Sequence, residues 1–164
     1  MSKNIIFNEK ALQSLKIGID KLNNTVKITL GPKGSNVILD KGFGAPHITN
    51  DGVTIAKEIE LEDKIENVGA SIVKEASEKT SDNAGDGTTS AIILATSMIN
   101  SGIKNIVAGA DPMSVKRGMD KASQKVIENL KQISKEVSKQ NEISDVATIS
   151  ARDRSIGDMI ASVI

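Results

Sequence analysis

The chain has 164 residues, room for one domain or for one domain and part of another. Aromatic residues make up 1% of it, so an apolar core must be filled by Ile, Leu, Val, Ala and Met, which suits close-packed helices better than a sandwich of aromatic cross-strand pairs. The 21 basic and 21 acidic residues cancel, which removes the electrostatic case for nucleic acid or an anionic membrane; the absence of Cys and a single His exclude disulfides, thiolate metal sites and a multi-histidine centre.

Ile5-Ile6-Phe7 is short and apolar enough to be an extra strand. Leu12, Leu15, Ile19, Leu22 and Val26 then recur at spacings of three and four, one apolar stripe on a helix. The helix must stop at Gly31-Pro32, because proline cannot continue an internal hydrogen-bond ladder. Asn36 to Asp40 is β-branched, a Gly-rich turn follows, and His47-Ile48-Thr49 completes a two-stranded ribbon. Such a ribbon is marginal alone and needs support, within the chain or from an adjacent copy. His47 has a surface or packing role.

Asp51-Gly52 opens a short helix through Ile59. After Asp63 a longer one places Ile65, Val68, Ile72, Val73 and Ala76 on one face, and Gly85-Asp86-Gly87 ends it. From Thr88 to about Val107 the pattern is apolar nearly all round, which predicts a helix covered on several sides. Asp111-Pro112 is a helix start, and Val115, Met119, Ala122, Val126, Leu130 and Ile133 carry its stripe to about Ser134. Met98, Met113, Met119 and Met159 read as core filler. Ser138 to Asn141 is a polar boundary; helical patterns follow over Ile143–Ile149 and Ile156–Ile164, with Arg152-Asp153-Arg154 between them as a solvated loop. The last pattern ends apolar and uncapped, as a cut chain would. The first ten residues carry no apolar signal core, and no run reaches ~18 uninterrupted apolar residues, so the expectation is a cytoplasmic protein with no membrane span.

Three polar loops adjoin helix ends. Gly85-Asp86-Gly87-Thr88-Thr89-Ser90 has glycines that let backbone N–H groups approach a ligand and a helix N-terminus that favours phosphate; Asp86 would repel phosphate directly and so fits a divalent cation bridging phosphate oxygens. Thr29-Leu30-Gly31-Pro32-Lys33-Gly34 could form a second phosphate or nucleoside wall, and Asp51 in Thr49-Asn50-Asp51-Gly52 could assist water or metal. Each loop alone is better read as an ordinary cap or turn; it is their number in one helical domain that favours a site. Neither a P-loop nor a complete G-x-G-x-x-G is present.

The three loops in this order, within LGPKG-N-V-LDK-FGAP-IT-DGVTIAKEIELED, GDGTT and DPM--KRG-DKA, resemble the group I chaperonins over essentially the whole chain. That resemblance implies a mainly α fold: the amino-terminal part of an ATP-binding equatorial helical bundle with a small β-hairpin over residues 1–134, and the start of an intermediate domain over 135–164. It implies that Thr29, Leu30, Gly31 and Pro32 line ATP, that Asp86 holds magnesium, that Gly87, Thr88, Thr89 and Ser90 cradle phosphate, that Asp51 assists hydrolysis, and that the Thr29 and Asn50 backbones lie near potassium. Identical subunits in a double seven-membered ring, a co-chaperonin and unfolded protein clients are the implied partners. Asn50 stands where many relatives carry Lys, and Ser90 replaces a third Thr. The family's subunit continues well past residue 164 and there supplies the main water-activating carboxylate. The competing reading is a short non-catalytic helical interaction module.

Overall fold

The computed structural model describes residues 5–31 and 33–164. Among them the chain runs α1 (Asn8–Val26), a 3-10 turn (Lys27–Thr29), β1 (Val37–Leu39), β2 (His47–Thr49), α2 (Gly52–Glu58), α3 (Lys64–Ala84), α4 (Thr88–Val107), α5 (Pro112–Ile133), α6 (Gln140–Ala151) and α7 (Arg154–Val163). This is the expected helical architecture with one small hairpin. The strands are antiparallel, with Val37 opposite Thr49, Ile38 opposite Ile48 and Leu39 opposite His47. Ile5, Ile6 and Phe7 form no strand; Phe7 is extended and leads into α1 instead. The chain divides into two compact units, the first ending at Val115 and the second covering Lys116–Ile164.

In the first unit α1, α2, α3 and α4 pack on one another. Ile19, Leu22, Val26, Ile55, Ala56, Ala70, Val73 and Ile92 form one buried cluster. Leu22, Ile55 and Ile92 are wholly buried, each contributing roughly 1.5–3 kcal/mol relative to exposure. The α1 stripe is therefore as expected at Ile19, Leu22 and Val26.

The face of α3 is not. Its buried residues are Gly69, Ala70, Val73 and Ser77, while Val68 and Ile72 are exposed. The reason is close approach. A Cβ on Gly18 would lie 1.7 Å from the Glu66 carbonyl oxygen, and one on Gly69 would lie 2.1 Å from that of Leu15. The two backbones touch, and only small residues can line the seam. Lys21 pairs with Glu66 at 2.5 Å over its edge.

Two further expectations are corrected. α4 is only partly covered: Thr88, Ile92 and Thr96 are buried, Leu94 and Met98 exposed. By length and composition α4 could cross a bilayer, although no run in it reaches ~18 uninterrupted apolar residues; Thr88, Ile92 and Thr96 are the residues it buries in the bundle. In α5, every residue of which is described, none is buried; its stripe is a real helical period without a cover. Met98, Met113, Met119 and Met159 are all exposed rather than core filler. Periodicity shows which side of a helix can be covered, not what covers it.

The second unit pairs α6 with α7. Here too a glycine closes the contact, since a Cβ on Gly157 would lie 2.1 Å from Thr148 Oγ1 and 2.7 Å from its nitrogen. The remaining links are largely polar. Asp158 accepts from Ser144 Oγ and Arg154, and Arg154 pairs with Asp145 at 2.7 Å. Arg152-Asp153-Arg154 is exposed, as expected of a solvated stretch, and also ordered: Arg152 takes a left-handed backbone (φ 57°) at the end of α6, Asp153 caps α7 and Arg154 begins it.

Candidate phosphate-binding site

Four helix starts of this chain carry an Asp cap, whereas the N-cap residues of α1, α4 and α6 (Phe7, Gly87 and Lys139) make no side-chain bond to the first turn. Asp51, Asp63, Asp111 and Asp153 each place a carboxylate on the first-turn N–H groups of α2, α3, α5 and α7. Such caps satisfy donors that have no intrahelical partner. These contacts hold the carboxyls of Asp63, Asp111 and Asp153 below the ordinary carboxylate range, the Glu66 N–H first for Asp63, the Ser114 hydroxyl first for Asp111 and the Ser155 hydroxyl first for Asp153.

α4 begins differently. Its N-cap is Gly87 in a left-handed backbone (φ 80°), and no side-chain cap bonds its first turn. The first ladder bond is Ala91 N–H to the Gly87 carbonyl at 2.9 Å, so the N–H groups of Thr88, Thr89 and Ser90 precede the ladder. Gly85 also has positive φ, and a Cβ there would meet no atom within 4 Å. The loop combines uncapped first-turn donors with open space at Gly85, while the Thr89 nitrogen is packed against Gly52. Asp86, exposed, accepts the Gly87 N–H through Oδ1 at 2.6 Å.

The other two loops are built against the same helix. A Cβ on Gly52 would lie 2.3 Å from Thr89 Oγ1 and 3.1 Å from its nitrogen, so the Asn50-Asp51-Gly52 loop abuts the start of α4. The 3-10 turn ending in Thr29 also packs on α4. One buried cluster underlies all three loops, through Val26, Ile55 and Ile92. Each of these is two or three residues from its loop, less than one helical turn.

Within the loops, Asp51 Oδ2 accepts the Thr54 N–H at 2.9 Å and the Thr54 hydroxyl, so the structure uses it as a cap. Thr29 is buried and its hydroxyl donates to the Val26 carbonyl at 2.8 Å, while a Cβ on Gly34 would press on its own carbonyl oxygen. Leu30 is exposed and Gly31 has φ 80° with open space at its Cβ position. Pro32 lies outside the described residues. Asn50 is half-buried beside Asp51. Thr88 is buried, Thr89 half-buried and Ser90 exposed. His47 is exposed on β2. Gly52 was legible only as a turn; nothing local in the sequence marks its fit against Thr89.

Among the described residues, no three His, Cys, Asp or Glu side chains gather as a metal cage. A lone carboxylate still suits magnesium, which keeps several waters and takes substrate phosphates beside one or two carboxylates. Asp86 next to an open helix N-terminus has that donor chemistry. Backbone carbonyls at Thr29 and Asn50 are the hard oxygen donors an alkali cation takes.

Residues 22–164 match the sequence model of the TCP-1/cpn60 chaperonin family. Among solved structures, the chain is similar to the crystal structure of a group III chaperonin in the open state, with 27% identity and a TM-score of 0.79. The alignment covers 93% of this chain and 31% of that one. The chain therefore spans about a third of the length of that chaperonin.

Proposed function

Because the chain belongs to the TCP-1/cpn60 chaperonin family, we propose that it supplies one wall of an ATP site in a protein-folding chaperone subunit. The observation that carries the reading is the start of α4, where a left-handed Gly87 replaces a side-chain cap, the exposed Asp86 precedes it and the Gly52 loop packs on Thr89. In this reading the N–H groups of Thr88, Thr89 and Ser90 hold phosphate oxygens, aided by the helix dipole. Gly87 keeps the approach clear of side-chain atoms. Thr29, Leu30, Gly31 and Pro32 line the nucleotide, with the Thr29 and Asn50 backbones toward potassium. Bound magnesium, held by Asp86, supplies charge neutralisation at the phosphate oxygens. Asp51 stands at the next loop and assists hydrolysis through its carboxylate, orienting water in a reaction that rests on positioning and electrostatics more than on covalent chemistry.

Residues 1–134 are then the nucleotide-binding part and 135–164 the start of an intermediate domain. The group I assignment rests on the loop motifs, and with it the cytoplasmic double seven-membered ring of identical subunits, the co-chaperonin and the unfolded clients. Asp86→Ala in the full-length native protein tests the reading. Magnesium-dependent ATP turnover is expected to fall by about a hundredfold; binding and turnover that persist unchanged would remove Asp86 from the site.

A further inference from the structure

α2 is a strut of seven residues. Isolated helices of this length do not hold themselves in water, so what fixes the two ends fixes the helix. At its start stand Asp51, which caps it, and Gly52, which abuts Thr89. Its middle is anchored by Ile55 and Ala56 in the buried cluster. At its far end the last carbonyls have no partner within the helix. One is taken from outside: Lys74 of α3 donates through Nζ to the Lys57 carbonyl at 2.7 Å. The neighbouring Val73 is wholly buried in the cluster that holds Ile55 and Ala56, so the stem of Lys74 rises from a fixed point.

An ammonium on a terminal carbonyl is a charge-assisted bond, and it also sits at the negative end of the helix dipole. We propose that Lys74 is a positioning residue: by clamping the C-terminal end of α2 it sets where Asp51 stands relative to the start of α4. It touches neither phosphate nor water itself. This rests on the ATP-site reading for its functional meaning, but the clamp has a physical readout of its own.

The test compares Lys74→Met, which keeps the aliphatic stem and loses the donor, with Lys74→Arg, which keeps a cation. Both are made in the full-length native protein. Hydrogen exchange is read at the Thr54 amide, bonded to Asp51, and at the Ile59 amide, bonded to the Ile55 carbonyl at 3.2 Å. Steady-state ATP hydrolysis is measured on the same samples. The Met variant is expected to speed exchange at both amides about threefold and to lower kcat about fivefold with KM within twofold; Arg restores both. Unchanged exchange at Thr54 in the Met variant overturns the clamp. Faster exchange with kcat unchanged overturns the positioning role. If the unaltered protein does not turn over ATP at all, the ATP-site reading fails, and the exchange at Thr54 still decides whether Lys74 holds Asp51 in place.

Discussion

The α1–α3 seam and the α6–α7 pair solve one problem with the same device and back it differently. In both, a glycine lies directly on a neighbour's backbone: Gly18 on Glu66 and Gly157 on Thr148. Behind Gly18 stands a cluster of eight buried apolar residues. Behind Gly157 stand mainly a hydroxyl, two carboxylates and a guanidinium, with Gly157, Ala161 and Ser144 as the buried residues of the two helices. Close approach makes a helix contact specific; what surrounds it decides how much energy the contact is worth and how that energy responds to solvent conditions.

The sharpest way to break the comparison is at Gly18. A methyl 1.7 Å from a carbonyl oxygen on backbone must push α1 and α3 apart along the whole seam. Gly18→Ala should cost about 3 kcal/mol. Urea unfolding followed by circular dichroism measures this, with methyl NMR of Ile19, Ile55 and Ile92 to localise the loss; the chain has no Trp or Tyr to report by fluorescence. An unchanged midpoint would mean that the seam is not tight.

Gly157→Ala is the smaller counterpart, at about 2 kcal/mol, because one of its near neighbours is the Thr148 hydroxyl, which can rotate. The loss should appear at the Ile143 and Ile156 methyls and leave that of Ile92 in place.

Acid should separate the two regions without any mutation. Asp153 is held below the ordinary carboxylate range by the Ser155 hydroxyl and the first-turn N–H groups of α7, and Asp158 by the Ser144 hydroxyl and then Arg154. A group with a lowered folded value contributes stability above its unfolded value, and that contribution is lost as pH falls through the folded one. The loss therefore begins below about pH 4. Asp20, Asp63 and Glu75 of the first unit are also held low. Apolar burial does not titrate and remains behind them, so signals of α6 and α7 should fade before those of the α1–α4 cluster in an acid titration read by methyl NMR. Simultaneous loss would show that the two regions share one source of stability.

Much of this was legible before any coordinates. Asp51, Asp63 and Asp111-Pro112 mark helix starts by their chemistry, Gly85-Asp86-Gly87 marks the break between two long helices, and the β-branched runs around Gly42 to Pro46 mark the hairpin. The face of α3 was not legible, because hydrophobic period favours Val68 and Ile72, whereas backbone contact selects Gly69, Ala70 and Ser77. Exposure of α5 was not legible either, since an amphipathic stripe reads the same with or without its cover. At the candidate site, the loop residues and their order were visible in the sequence. The fit of Gly52 on Thr89 and the reach of Lys74 to Lys57 were not, because both join segments far apart in the chain.

The link between α3 and α4 has a consequence for how the chain acquires its structure. Three residues, Gly85 to Gly87, reverse the path between helices of 21 and 20 residues. Connections this short let two helices meet with little loss of chain entropy, which favours early, rapid pairing. The stretch proposed to face phosphate is therefore also the stretch that sets the speed of helix pairing. Any substitution there is filtered twice, once by chemistry and once by the rate at which the nascent polypeptide collapses.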